Sequence, residues 1–91
     1  MGDMIVVIKV FPEDDRVDLE SLSTEIEKIL PEKVRLEKKE KEPLAFGLNS
    51  LLLYLIMPED IELSMDQLEE KINSVPKVNH AEVISMHRVS F

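Results

Sequence analysis

The sequence predicts an α+β fold of element order βαββαβ, and two observations carry that prediction. Phe11-Pro12-Glu13-Asp14 returns 46 positions later as Met57-Pro58-Glu59-Asp60, and Leu19, Leu22, Ile26 and Ile29 are mirrored at the same offset by Met65, Leu68, Ile72 and Val75. An apolar run also precedes each copy, Met4 to Phe11 and Leu51 to Met57. Each copy therefore reads as strand, acidic turn and helix, followed by one more strand. Two such units packed side by side give the split βαβ, or ferredoxin-like, plan. The expectation is a single domain over residues 1–91, with a four-stranded antiparallel sheet ordered 4-1-3-2 and both helices on one face.

The elements follow in order. Met4 to Phe11 is β-branched and apolar on both faces except at Lys9, as a central strand is. Alternation puts Val6, Ile8 and Val10 towards the core and Ile5, Val7 and Lys9 on the other face. Pro12 to Val17 forms a turn. Asp18 N-caps a helix to about Leu30, because its carboxylate accepts free amides and suits the helix dipole; Pro31 ends it. Val34 and Leu36 alternate with charged residues, the pattern of a half-exposed edge strand. Lys38 to Pro43 is too polar on both faces to be buried, so it reads as a strand end passing into a loop, Glu42 to Gly47. A long strand then runs from Leu48 to Met57, with Leu51, Leu53 and Leu55 inward and Leu52, Tyr54 and Ile56 outward. Ser64 with Gln67 forms a capping box opening the second helix, which Pro76 stops. The last strand runs from about Asn79 to the chain end, with Ala81 and Val83 inward.

With strands 1 and 3 central, Ile5, Val7, Leu52, Tyr54 and Ile56 form an apolar patch on a sheet face that no helix covers. Patches of that kind mark contact surfaces. This one would serve a partner or weak self-association, unless the tail and long side chains partly cover it.

Composition excludes several classes. There is no cysteine, which removes disulfides, thiol catalysis and zinc–thiolate sites. With no secretory signal pattern, the expected setting is reducing and cytoplasmic. The longest apolar run is far too short to span a bilayer. A net charge of −8 argues against direct nucleic-acid binding, which needs basic surface. The one basic island is Lys33, Arg35, Lys38, Lys39 and Lys41, which reads either as lysines guarding a strand edge or as a contact for an acidic or phosphate-bearing partner.

Signals for an enzyme are weak. His80 and His87 are seven apart on one strand, and strict alternation would put them on opposite faces, unable to share a metal. Glu13, Asp14, Asp15 and Asp18 lack the glycine and distal glutamate of a calcium loop and read as dipole-compensating residues before a helix. There is no glycine-rich phosphate loop, no ribonucleoprotein signature and no expected cofactor. Two stretches remain. In Pro43-Leu44-Ala45-Phe46-Gly47-Leu48, an aromatic sits on a loop beside the one internal glycine, the composition of a protruding contact or of a side chain folded back on the core. In Ser85-Met86-His87-Arg88-Val89-Ser90-Phe91, an arginine fork is carried near a strand end.

With Ile8-Lys9-Val10-Phe11, Glu59-Asp60, Ser64-Met65-Asp66-Gln67-Leu68 and the strand from Val78 to Val89, these stretches resemble the archaeal translation elongation factor 1-beta family over the whole chain. The resemblance implies a guanine-nucleotide exchange factor for the elongation factor 1-alpha GTPase, acting by binding rather than as an enzyme. It implies partner contacts at Phe46 and Gly47 with Ala45, and at Arg88 with His87. Arg88 stands where eukaryotic members carry a lysine that works on the GTPase's magnesium site, and Ser90 and Phe91 extend beyond it. The alternative from the residues alone is a small-ligand-sensing or protein-interaction module of the same fold.

Overall fold

A computed structural model describes residues 2–89. The chain runs β1 (Asp3–Pro12), α1 (Leu19–Ile29), β2 (Arg35–Pro43), a short 3-10 turn (Ala45–Gly47), β3 (Asn49–Pro58), α2 (Met65–Asn73) and β4 (Val78–Val89). The sheet order is β2-β3-β1-β4, with every neighbour antiparallel. This is the ferredoxin-like plan that the repeat predicts, with the two most apolar strands in the centre.

The core lies between the sheet and both helices. Val6, Ile8 and Val10 of β1 and Leu51, Leu53, Leu55 and Met57 of β3 pack with Leu22 and Ile26 of α1 and Leu68 and Ile72 of α2. One sheet face thus carries both helices, and alternation leaves Ile5, Val7, Leu52, Tyr54 and Ile56 on the other. The helix starts follow their sequence signals. The Asp18 carboxylate accepts the Glu20 amide at 3.1 Å, and Ser64 and Gln67 close a reciprocal capping box. One orphan amide satisfied at the start of α1 and two amides satisfied at the start of α2 offset part of the cost of ordering short helices.

Three expectations need correction. The fourth apolar pair of the repeat does not hold: Ile29 is exposed at the end of α1, while Val75 is buried but lies beyond α2. The second helix stops at Asn73, with Ser74 as its cap, so Val75 reaches the core from the following turn.

Strand β2 also continues to Pro43 instead of dissolving into a loop. Its polar side chains find partners across the sheet and need no burial. On the helix side, Lys39 reaches Glu20 at 2.9 Å and Ser23 at 3.2 Å. On the open side, Glu42 meets Lys9 at 2.7 Å and Glu40 accepts from the Tyr54 hydroxyl at 2.7 Å.

The third correction concerns β4. Its pairing with β1 slips between Val7 and Ile8, because Val7 faces Ser85 while Ile8 faces Val83. Ile84 is the extra residue of a β-bulge. A bulge resets side-chain parity, so His80 opposite Phe11 and His87 opposite Ile5 share the open face. They remain apart by six residues of β1, about 20 Å.

Candidate functional site

The hairpin between β2 and β3 is closed by Leu44 donating to the Leu48 carbonyl at 2.7 Å and by Leu48 donating to the Ala45 carbonyl at 3.3 Å. Its two central residues are both left-handed: Phe46 has φ 60° and ψ 34°, and Gly47 has φ 77°. This is the geometry of a type I′ turn, whose twist matches that of the flanking strands and which favours Asn-Gly. Glycine meets that requirement at position 47. Phenylalanine at position 46 does not, because a β-carbon in this region costs about 1–2 kcal/mol.

The side chain gains nothing within the fold in return. Phe46 is 98% exposed, so it does not fold back on the core. An aromatic held at a turn tip, in a conformation it disfavours and with no packing of its own, is unusual among large apolar residues. Ala45 and Gly47 beside it are also exposed.

The second candidate stretch lies at the other end of the sheet. Arg88 pairs with Met4 near the start of β1, on the helix-bearing face. Its guanidinium forms an ion pair through Nε with the Glu59 carboxylate, just past the end of β3. His87 is exposed on the opposite face, with Nδ1 3.3 Å from the Ser85 hydroxyl. Ser90 and Phe91 lie outside the described residues.

The structure therefore does not bring the predicted contact residues together. Phe46, Ala45 and Gly47 stand at one end, and Arg88 and His87 at the other, in a molecule 43 Å long.

Sequence reasoning missed how β4 is divided. Side chains of α2 bind the backbone of its first half. Asn73 exchanges two hydrogen bonds with Ala81, at 2.9 and 3.1 Å, and Glu69 accepts from the Val83 amide at 2.7 Å. These contacts cap the sheet edge there. Beyond the bulge no such contact occurs among the described residues, and Ile84 and Met86 are about half exposed. A polar residue at the very end of α2, Asn73, was the available signal, but nothing local says which strand it meets.

The open face is less bare than alternation suggests. Val7 is only 7% exposed, and Ile5, Leu52, Tyr54 and Ile56 are half-buried. The Lys38 ammonium lies 5.4 Å from the centre of the Tyr54 ring. The hydrogen bond that Tyr54 donates to Glu40 raises its pKa above 10.0, with desolvation and nearby carboxylates adding to the shift. The acidic turn behaves as capping chemistry: Asp14 accepts the Arg16 amide at 2.9 Å, and Asp18 caps α1. Among the described residues, no group of three His, Asp or Glu is placed to hold a metal ion. No helix there is long and apolar enough to cross a membrane.

These features define a ferredoxin-like domain whose exposed chemistry sits at the two ends of its sheet. Residues 5–89 match the family described as EF-1 guanine nucleotide exchange domain. The chain is 50% identical over 91 residues to elongation factor 1-beta of Saccharolobus islandicus, covering 100% of both chains. It is 48% identical over 91 residues to that of Saccharolobus solfataricus, again covering 100% of both. With elongation factor 1-beta of Sulfolobus acidocaldarius it shares 49% over 89 residues, 98% of this chain and 99% of the relative. The chain belongs to the EF-1 guanine nucleotide exchange domain family, and its role is nucleotide exchange in translation elongation.

Proposed function

We propose that the chain accelerates exchange of GDP for GTP on the elongation factor 1-alpha GTPase by gripping it from both ends of the sheet. The supporting observation is Phe46: fully exposed, rigidly carried on a two-residue turn, and in a backbone conformation that phenylalanine disfavours. A turn-tip aromatic of this kind suits a pocket on a partner, where a rigid ring adds contact area at low entropic cost. Ala45 and Gly47 let the partner's surface approach the turn closely.

Arg88 acts at the other end. A guanidinium brought to where magnesium and the nucleotide phosphates are held repels the metal and pairs with carboxylates that orient it. GDP is loosened with no covalent step, so the chain works by binding and not as an enzyme. Factor and nucleotide each weaken the other's hold on the GTPase, a reciprocal coupling, and the supply of GTP sets the direction. The factor works in the cytoplasm, without direct nucleic-acid or membrane contact. The half-buried open face is left for weak self-association.

The test is release of labelled GDP from the purified GTPase. The chain should accelerate release, and Phe46→Ala should raise the concentration needed for half-maximal effect by tenfold or more. Unchanged half-saturation in Phe46→Ala would remove the hairpin from the interface.

A further inference from the structure

We propose that Glu59 is a positioning residue for Arg88, holding the guanidinium so that its two terminal nitrogens point away from the body of the domain. The proposal rests on the exchange role assigned above to Arg88. Glu59 is the first residue after β3, and its amide donates to the Gly2 carbonyl at 2.9 Å, which fixes its backbone beside the start of β1. Its side chain is 25% exposed, whereas that of Arg88 is 77% exposed. The carboxylate is the rooted member of the pair and the guanidinium the projecting one.

The ion pair uses the Nε edge of Arg88. A guanidinium carries five donors in a planar fork, and four of them are on the terminal nitrogens. One carboxylate bound at Nε anchors the fork at its root and leaves donors on the terminal nitrogens for a partner. Arg88 needs that support, because it lies in the half of β4 that α2 does not tie down.

The arrangement predicts that Glu59 acts on the maximal exchange rate and only through Arg88. The experiment is stopped-flow release of labelled GDP with four full-length chains: the natural one, Glu59→Gln, Arg88→Ala and the double variant, each titrated to saturation. An exposed ion pair of this kind predicts that Glu59→Gln lowers the maximal stimulated rate about two- to fivefold, with half-saturation and thermal midpoint unchanged. In the Arg88→Ala background, Glu59→Gln should have no further effect. An equal drop in both backgrounds would overturn the proposal, as would no drop in the natural background while Arg88→Ala is impaired. A fully active Arg88→Ala would instead overturn the assignment of Arg88 itself. Glu59→Asp, which keeps the charge but shortens the reach, should recover part of the rate.

Discussion

Phe46 and Arg88 are joined by one rigid sheet and separated by its length. Phe46 tips the β2–β3 hairpin beyond Pro43 and Asn49, whereas Arg88 pairs with Met4 near the opposite end of β1. The eight residue steps of β1 from Met4 to Pro12 span roughly 25 Å. A partner touching both must present two sites about that far apart, so the two contacts are separable by mutation.

Phe46→Asn gives the cleanest separation of stability from function. Asparagine is favoured at the first central position of a type I′ turn. The variant should be as stable as the natural chain or more so by up to about 1 kcal/mol, while its half-maximal concentration for stimulated GDP release rises at least tenfold. Chemical denaturation and the release assay check this on one preparation. A loss of stability comparable to a core lesion would mean that the ring packs within the fold.

Arg88→Ala should cut maximal GDP release more than it cuts binding to the GTPase, and Arg88→Lys should keep most of the activity. Stability should fall by less than about 1 kcal/mol, since the pair with Glu59 is solvent-exposed on the arginine side. Binding titration alongside stopped-flow release checks the split; full activity in Arg88→Ala would leave the hairpin as the main agent.

Leu52 and Leu53 are neighbours in β3 with opposite fates. Leu53 is completely buried, so Leu53→Ala should cost about 2–5 kcal/mol. Leu52 is half-buried on the open face between Lys9 and Glu40, so Leu52→Lys should cost well under half of that and weaken any contact made through the face. Denaturant midpoints for the two variants make the comparison; equal losses would show that the open face packs like a core.

Tyr54 gives a pH readout free of interference, because the chain has one tyrosine and no tryptophan. The bond to Glu40 holds the phenol proton, so its pKa in the folded chain lies above 10.0. The associated stability is fully present below the unfolded value and is lost as pH rises through the folded one. Alkaline titration followed by phenolate absorbance should show a raised midpoint, and Glu40→Gln should lower it. No difference between the two chains would mean that the bond is not populated in solution.

The sequence by itself determined the element order, the two central strands, the faces of β1 and β3, and both helix starts. Each of these is written locally: alternation in Val6, Ile8 and Val10, a capping box at Ser64 and Gln67, a carboxylate at Asp18. The 46-residue repeat extends that local information to the whole plan. Residue chemistry alone, a loop aromatic beside glycine and a lone arginine near a strand end, drew attention to Phe46 and Arg88.

Only the tertiary structure decided what those residues face. The bulge at Ile84 turns both histidines onto one side, and no residue type there announces an inserted position. Lys38 to Pro43 reads as too polar for a strand until Lys9, Glu20 and Tyr54 arrive from other elements to satisfy it. The left-handed turn at Phe46 is imposed by the twist of two paired strands against the residue's own preference. The ion pair of Arg88 with Glu59 joins residues far apart in sequence, which meet only because β1 brings the ends of β3 and β4 together. In each case the deciding interaction is non-local, and local sequence cannot encode a partner that the fold has yet to deliver.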